Sequence, residues 1–236
     1  MRTVLITGAN RGIGLATSRI LNKKKYKVIG VARTKINNFP GKFYECDLSN
    51  EEEIKDLLNK LKNRNISCLV NNAGASFGQS INELDLKTFD KSIDLNLRPA
   101  IQLSLGLVKN MKKKKFGRIV NIASRAALGR EFRTSYSAAK SALYGFSRTW
   151  ALELGKYNIT INNVSPGPIK TELHKKNNNQ NKSYQKKYLS QNPMRRYGKP
   201  EEVANAVSFF ISNEASFITG QTLYVCGGMS VGHAPI

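Results

Sequence analysis

Seven short runs rich in apolar and β-branched residues, at 3–7, 26–32, 42–46, 67–70, 118–123, 160–164 and 222–225, alternate along this chain with longer segments of helical pattern. The helical segments lie at 12–22, 50–62, 86–112, 135–157 and 200–211. A strand with no polar side must be covered on both faces, and strands separated by helices pair in parallel. The pattern therefore predicts an α/β fold: a doubly wound parallel sheet of about seven strands with helices on both faces. At 236 residues and 40% apolar content the chain suits one domain, spanning 1–236, whose core needs no disulfide or metal staple.

Two stretches break the rhythm. Residues 33–41 contain Asn37-Asn38-Phe39-Pro40-Gly41, too short and too turn-rich for a crossover helix. Residues 174–187 read HKKNNNQNKSYQKK and are nearly low-complexity, which suggests a mobile lid at about 172–195 or else a plain surface insertion. Cys46, Cys68 and Cys226 lack C-x-x-C spacing and are read as buried small residues in a reducing compartment. His174 and His233 are too few for a metal site, so no metal is expected. The first residues open straight into a strand with no secretory leader, and no apolar run can span a bilayer. A cytoplasmic protein with no membrane partner is the expectation. The balance of 38 basic to 16 acidic residues, net +22, favours anionic partners or reflects lysines spread over solvated faces.

Thr7-Gly8-Ala9-Asn10-Arg11-Gly12-Ile13-Gly14 joins the first strand to the first helix. Glycines there let the backbone turn sharply and approach a pyrophosphate, while the helix start offers N–H groups to the anion. This is the turn of a Rossmann-type dinucleotide site, involving Gly8, Asn10, Arg11, Gly12, Ile13 and Gly14. When such a site takes NAD, an acidic residue about 20 positions on holds the ribose 2′-hydroxyl. No Asp or Glu occurs before Glu45, whereas Arg11 lies in the turn and Arg33 at the end of the second strand. Two guanidinium groups and no repelling carboxylate suit a 2′-phosphate, so NADP(H) is predicted.

Tyr136-Ser137-Ala138-Ala139-Lys140 lies in a helical segment, which puts the phenol and the ammonium on one face. An adjacent ammonium favours tyrosinate and is expected to lower the tyrosine pKa toward neutrality, fitting it for proton transfer. Ser124 follows a strand at the carboxyl edge of the sheet, and Asn71-Asn72-Ala73-Gly74 ends another strand there. Asn96 interrupts a helical segment, where an amide has poor propensity and so some other use.

These motifs, in order and over nearly the whole chain, resemble the short-chain dehydrogenase/reductase family. The glycine motif corresponds to Gly8, Gly12 and Gly14, and the adenine-side acid to Asp47, followed by Leu48. The N-N-A-G motif runs from Asn71 through Asn72 and Ala73 to Gly74. The tetrad corresponds to Asn96, Ser124, Tyr136 and Lys140. Pro166-Gly167 precede Ile169 and Thr171, which the resemblance directs to the nicotinamide carboxamide. The resemblance implies reduction of a ketone with NADPH as hydride source. Ser124 would bind the carbonyl oxygen, Tyr136 would protonate it, and Lys140 would hold the nicotinamide ribose. Asn96 would hold a water that resupplies protons. A homotetramer is also implied. The short link 33–41, where many members carry a helix, is a departure that affects the adenine pocket only.

Within the family, Phe217-Ile218-Thr219-Gly220-Gln221-Thr222-Leu223, Gly227-Gly228-Met229 and Gly117-Arg118-Ile119-Val120-Asn121-Ile122 look like the 3-oxoacyl-[acyl-carrier-protein] reductases of fatty acid synthesis. An acidic acyl carrier protein would suit the basic surface, with Arg125, Arg130 and Arg133 as docking residues. Because one scaffold serves many ketones, the runner-up is a reductase of an acyl-CoA or a small ketone. The tail 230–236, long enough to reach a neighbouring subunit, allows a different pocket. The remaining alternative, a basic nucleic-acid-binding protein, rests on Lys112-Lys113-Lys114-Lys115, which equally suit a helix C-terminus.

Overall fold

The computed structural model describes residues 1–171 and 189–231. Its centre is a seven-stranded parallel sheet in the order β3-β2-β1-β4-β5-β6-β7. The strands are β1 (Thr3–Thr7), β2 (Lys27–Ala32), β3 (Lys42–Glu45), β4 (Ile66–Asn71), β5 (Gly117–Ile122), β6 (Ile159–Pro166) and β7 (Thr222–Val225). The helices are α1 (Gly12–Lys23), α2 (Glu51–Leu61), α3 (Leu86–Asn96), α4 (Arg98–Lys114), α5 (Thr134–Leu154) and α6 (Pro200–Ile211). Strand order reverses between β1 and β4, and the carboxyl ends of the strands meet there in a crevice.

β1, β5 and β6 are buried along their whole length, and β5 and β6 bury Arg118, Asn121, Asn162 and Asn163 along with their apolar residues. One core layer packs α2, α4 and α5 on the sheet through Leu57, Leu103, Leu107 and Leu154. The other packs α1 and α6 through Leu21, Val203, Val207 and Phe210. Phe146 and Trp150 pack edge to face, 4.6 Å between centroids, against the first layer. All three cysteines are buried and free.

The single helix expected over 86–112 is two helices, α3 and α4, broken at Leu97 (φ −123, ψ −57). Pro99 accounts for it: it has no N–H for the carbonyl of Leu95, and its ring would clash with that carbonyl in a continuous helix. The 33–41 link carries no helix. Phe39 fills the place of one, with its ring on the Cα of Gly30, where any side chain would collide, and edge-on to Phe43 at 5.0 Å. Most of the expected lid and both histidines fall at 172–188 and 232–236, outside the described residues.

Among the described residues, no helix is long and apolar enough to cross a membrane.

Candidate active site

One cleft of about 390 Å³ runs along the carboxyl edge of the sheet. Gly8, Asn10, Arg11, Gly12, Ile13, Arg33, Asp47 and Leu48 line one end. Ser124, Tyr136 and Lys140 line the other, with Asn72, Ala73, Gly74, Pro166, Gly167, Ile169 and Thr171 between or beside them. Gly14 lies beneath the lining, where a Cβ would strike the carbonyl of Gly8. Asn96 sits just behind Gly74.

The glycine turn holds Gly8 at φ +60 and Gly12 at φ +51, a region a side chain rarely adopts. Arg11 is the N-cap of α1, yet no side chain caps the helix and its first turn carries no acid. The N–H groups there are left for an anion, as a bound pyrophosphate requires. The turn is tied to β4: Thr7 Oγ1 accepts from the N–H of Asn72 (2.9 Å) and of Ala73 (3.0 Å), and Asn72 Nδ2 donates to the carbonyls of Thr7 (2.8 Å) and Gly8 (3.1 Å). Asn10 Nδ2 donates to the carbonyl of Thr34, fixing the turn to the end of β2.

At the adenosine end, Asp47 accepts from the backbone N–H and hydroxyl of Ser49, which hold its carboxyl below the usual range. Arg33 is exposed at the mouth. Glu45 is a carboxylate that the stretch before position 45 does not count. It is tied back by the N–H of Lys35 (2.9 Å) and is not part of the cleft wall.

At the other end, α5 brings Tyr136 and Lys140 onto one face, with Nζ 5.8 Å from the phenol ring centre. Ser124 and Tyr136 line the same end of the cleft, and Ser124 Oγ accepts from the N–H of Ala126 (3.1 Å). Lys140 is 3% exposed and donates to the carbonyl of Ile122 (2.8 Å).

The expected lowering of the tyrosine pKa by the lysine is corrected here. Burial pushes the Tyr136 phenol up, and the counteracting influences are the Ser124 hydroxyl and the charges of Arg130 and Arg133. Burial also pulls Lys140 down to about 8, so the ammonium is itself weakened.

Asn96 is the last residue of α3, 3% exposed, and grips the loop after β4. Its Oδ1 accepts from the N–H of Ala75 (3.2 Å), while Nδ2 donates to the carbonyls of Ala75 and Ser92 (2.9 Å each). Both amide hydrogens are thereby used, and one lone pair of Oδ1 remains. Gly74 lets this happen: a Cβ there would lie 2.6 Å from Asn96 Oδ1 and 3.3 Å from Lys140 Nζ.

Arg130 and Arg133 line the catalytic end of the cleft, whereas Arg125 does not. Tyr144 escaped the sequence reading. Its hydroxyl bonds Ser165 Oγ (2.7 Å) and donates to the Ser124 carbonyl (3.2 Å), bracing the strand end that presents Ser124. Its position four residues after Lys140 on the same helical face was the available signal.

A dinucleotide cradle at the switch point, joined in one cleft to a Ser–Tyr–Lys group, defines a class of nicotinamide-linked oxidoreductases. A family model described as enoyl-(acyl carrier protein) reductase matches residues 8–230, and the chain belongs to the short-chain dehydrogenase/reductase family. Among its relatives, 3-oxoacyl-[acyl-carrier-protein] reductase FabG of Buchnera aphidicola subsp. Schizaphis graminum is 40% identical over 239 residues, 97% of each chain. Among solved structures, a variant of actinorhodin polyketide ketoreductase with NADPH superposes with a TM-score of 0.91 at 29% identity, covering 98% of both chains. A 4-hydroxyisoleucine dehydrogenase complexed with NADH gives 0.92 at 34%, covering 99% of this chain and all of the other.

Proposed function

We propose that this protein is a 3-oxoacyl-[acyl-carrier-protein] reductase that uses NADPH. The observation that carries the reading is the convergence of the Ser124 hydroxyl, the Tyr136 phenol and the Lys140 amine in the same cleft as the uncapped N-terminus of α1. Full-length similarity to FabG relatives supports the carrier-protein substrate, with Arg130 and Arg133 beside the catalytic end to meet an acidic carrier. A soluble, cytoplasmic homotetramer accords with this reading.

The residues present fit a dinucleotide. The turn at Gly8–Gly12–Gly14 and the start of α1 would hold its pyrophosphate, and Asp47 and Leu48 would border its adenine. Arg11 and Arg33 would face a 2′-phosphate, Asn72, Ala73 and Gly74 would floor the site, and Pro166, Gly167, Ile169 and Thr171 would flank the nicotinamide. When bound, the reduced nicotinamide supplies a hydride. Ser124 donates a hydrogen bond that fixes the substrate carbonyl oxygen. Tyr136 gives that oxygen a proton as negative charge develops on it. Lys140 binds the ribose and, once a charged substrate complex replaces bulk water, stabilises the phenolate left behind. Asn96 offers its remaining lone pair to a water on the path by which the proton is restored.

The test is NADPH oxidation against acetoacetyl thioesters of carrier protein and of coenzyme A and against simple ketones, with NADH in parallel. The carrier thioester with NADPH is expected to give the highest kcat/KM, and Tyr136→Phe to lose about 10²–10⁴ in kcat while binding NADPH as before. Preference for NADH, for coenzyme A thioesters or for small ketones would overturn the corresponding part. Retained turnover in the phenylalanine variant would remove Tyr136 from the chemistry.

A further inference from the structure

The net charge of +22 is sorted by the topology. Helices in a parallel sheet run against the strands, so their C-termini, and the turns into the next strand, collect at the strands' amino edge, opposite the cleft. The turns at 23–27, 60–64, 112–115 and 156 carry ten exposed lysines and one exposed arginine, Arg64. They enter β2, β4, β5 and β6, and β2 to β6 spans four inter-strand spacings, about 19 Å. Glu153 and Glu214 are the carboxylates near this edge, and the ion pairs of Lys55, Arg98 and Arg196 draw on none of these lysines. Arg2, Arg64 and Arg118 also lie at this edge, while Arg11, Arg33, Arg125, Arg130 and Arg133 follow strand ends at the other.

The helix dipole accounts for cations in a last turn, but its effect fades within that turn. It does not account for Lys25, Lys27, Arg64 or Lys156. Lys25 (φ 65) and Lys115 (φ 48) also adopt the left-handed conformation that Asn65 (φ 51) and Asn158 (φ 56) adopt in the sister turns. Lysine stands at these two positions although asparagine or glycine would fit the backbone more easily.

The chemistry of the edge selects its partner. Lysine is a hydrated point charge, whereas nucleic-acid recognition favours the arginine fork. Helices present only C-termini here, so no N-terminal N–H groups are offered to grip single phosphates. The rings of Phe116 and Tyr157 already lie under Arg2, Arg118, Lys112 and Lys156, which takes both out of a stacking platform. One ring on this edge, Phe217 in the connection into β7, is fully exposed. Diffuse lysine charge with exposed apolar side chains, Phe217 and Met1, matches an anionic bilayer surface.

We propose that the amino edge of the sheet is a docking surface for anionic lipid, with the lysines on the headgroups, Phe217 entering their layer and the catalytic cleft facing away. The absence of a spanning helix bears on crossing a membrane, and adsorption by charge needs none.

The experiment is co-sedimentation of the full chain with phosphatidylcholine vesicles, with and without about 30 mol % phosphatidylglycerol, between about 0.05 and 0.5 M KCl. Binding is expected only with phosphatidylglycerol, falling as salt rises. Lys60→Glu/Lys62→Glu/Lys113→Glu should lose at least about tenfold in partitioning. Lys87→Glu/Lys91→Glu/Lys199→Glu, with the same net charge placed elsewhere, should lose less than about twofold. Matching reductase activity and melting temperature would show both variants folded. No vesicle binding at low salt, equal loss in both variants, or patch-dependent binding to a 30-nucleotide RNA (about that length) without binding to vesicles would each overturn the proposal.

Discussion

Lys140 shows how a side chain visible in sequence acquires a property that is not. Its spacing from Tyr136 fixes their shared face, but its depth, 3% exposed and donating to the Ile122 carbonyl, is set by tertiary packing. Burial draws its pKa from 10.5 to about 8. The unfolded chain therefore binds more protons than the folded one between about pH 8 and 10.5, so this residue makes stability rise with pH across that window. Below pH 8 both states are charged and the full cost of burying the ammonium remains. Lys140→Met should be more stable than the parent at pH 7 by a few kcal/mol at most and should flatten the rise above pH 8. Urea unfolding at a series of pH values checks this, and an unchanged slope would contradict it. The same division runs through the rest of the site. Gly8, Ser124 and Tyr136 were legible because motif spacing encodes them. The raised pKa of Tyr136 and the bracing of Ser124 by Tyr144 were not, because both depend on what the fold packs around them.

Among elements, α3 and α4 are most instructive. Apolar periodicity runs through 86–112 without a pause, and only Pro99 marks the break that leaves Asn96 at a helix end, beside Gly74. The parallel strands were readable from their apolar-rich runs, but the polar chain between them was not. Asn71 Nδ2 donates to Asn121 Oδ1 (2.8 Å), Asn121 Nδ2 to Ser147 Oγ (3.0 Å), Ser147 Oγ to Asn163 Oδ1 (2.7 Å), and Asn163 Nδ2 to Thr222 Oγ1 (3.1 Å). The chain links β4, β5, α5, β6 and β7 in a buried layer. Asn121→Ala takes the acceptor from Asn71 Nδ2 and the donor from Ser147 Oγ and opens a void, at a cost of about 2–4 kcal/mol. A urea midpoint that shifts by far less would mean that the layer rearranges or admits water.

At the scale of the molecule, alternating runs were enough to specify the sheet and its covering, whereas the segregation of charge needs the topology, since lysines far apart in sequence meet only because α1, α2, α4 and α5 end at one edge. With 38 basic residues against 16 acidic, the folded state repels itself. Melting temperature at pH 7 is therefore expected to rise by several degrees between about 0.02 and 0.3 M KCl; a flat or falling curve in a scanning-calorimetry series would show that the charges are too well spaced to matter. The Thr7 hydroxyl, tied to both Asn72 and Ala73, has a consequence at this scale too. It rivets the glycine turn to the end of β4, so these two parts of the cleft wall move together. One hydroxyl thus sets the spacing between the glycine turn and the loop after β4, two parts of the cleft wall that lie more than 60 residues apart in sequence.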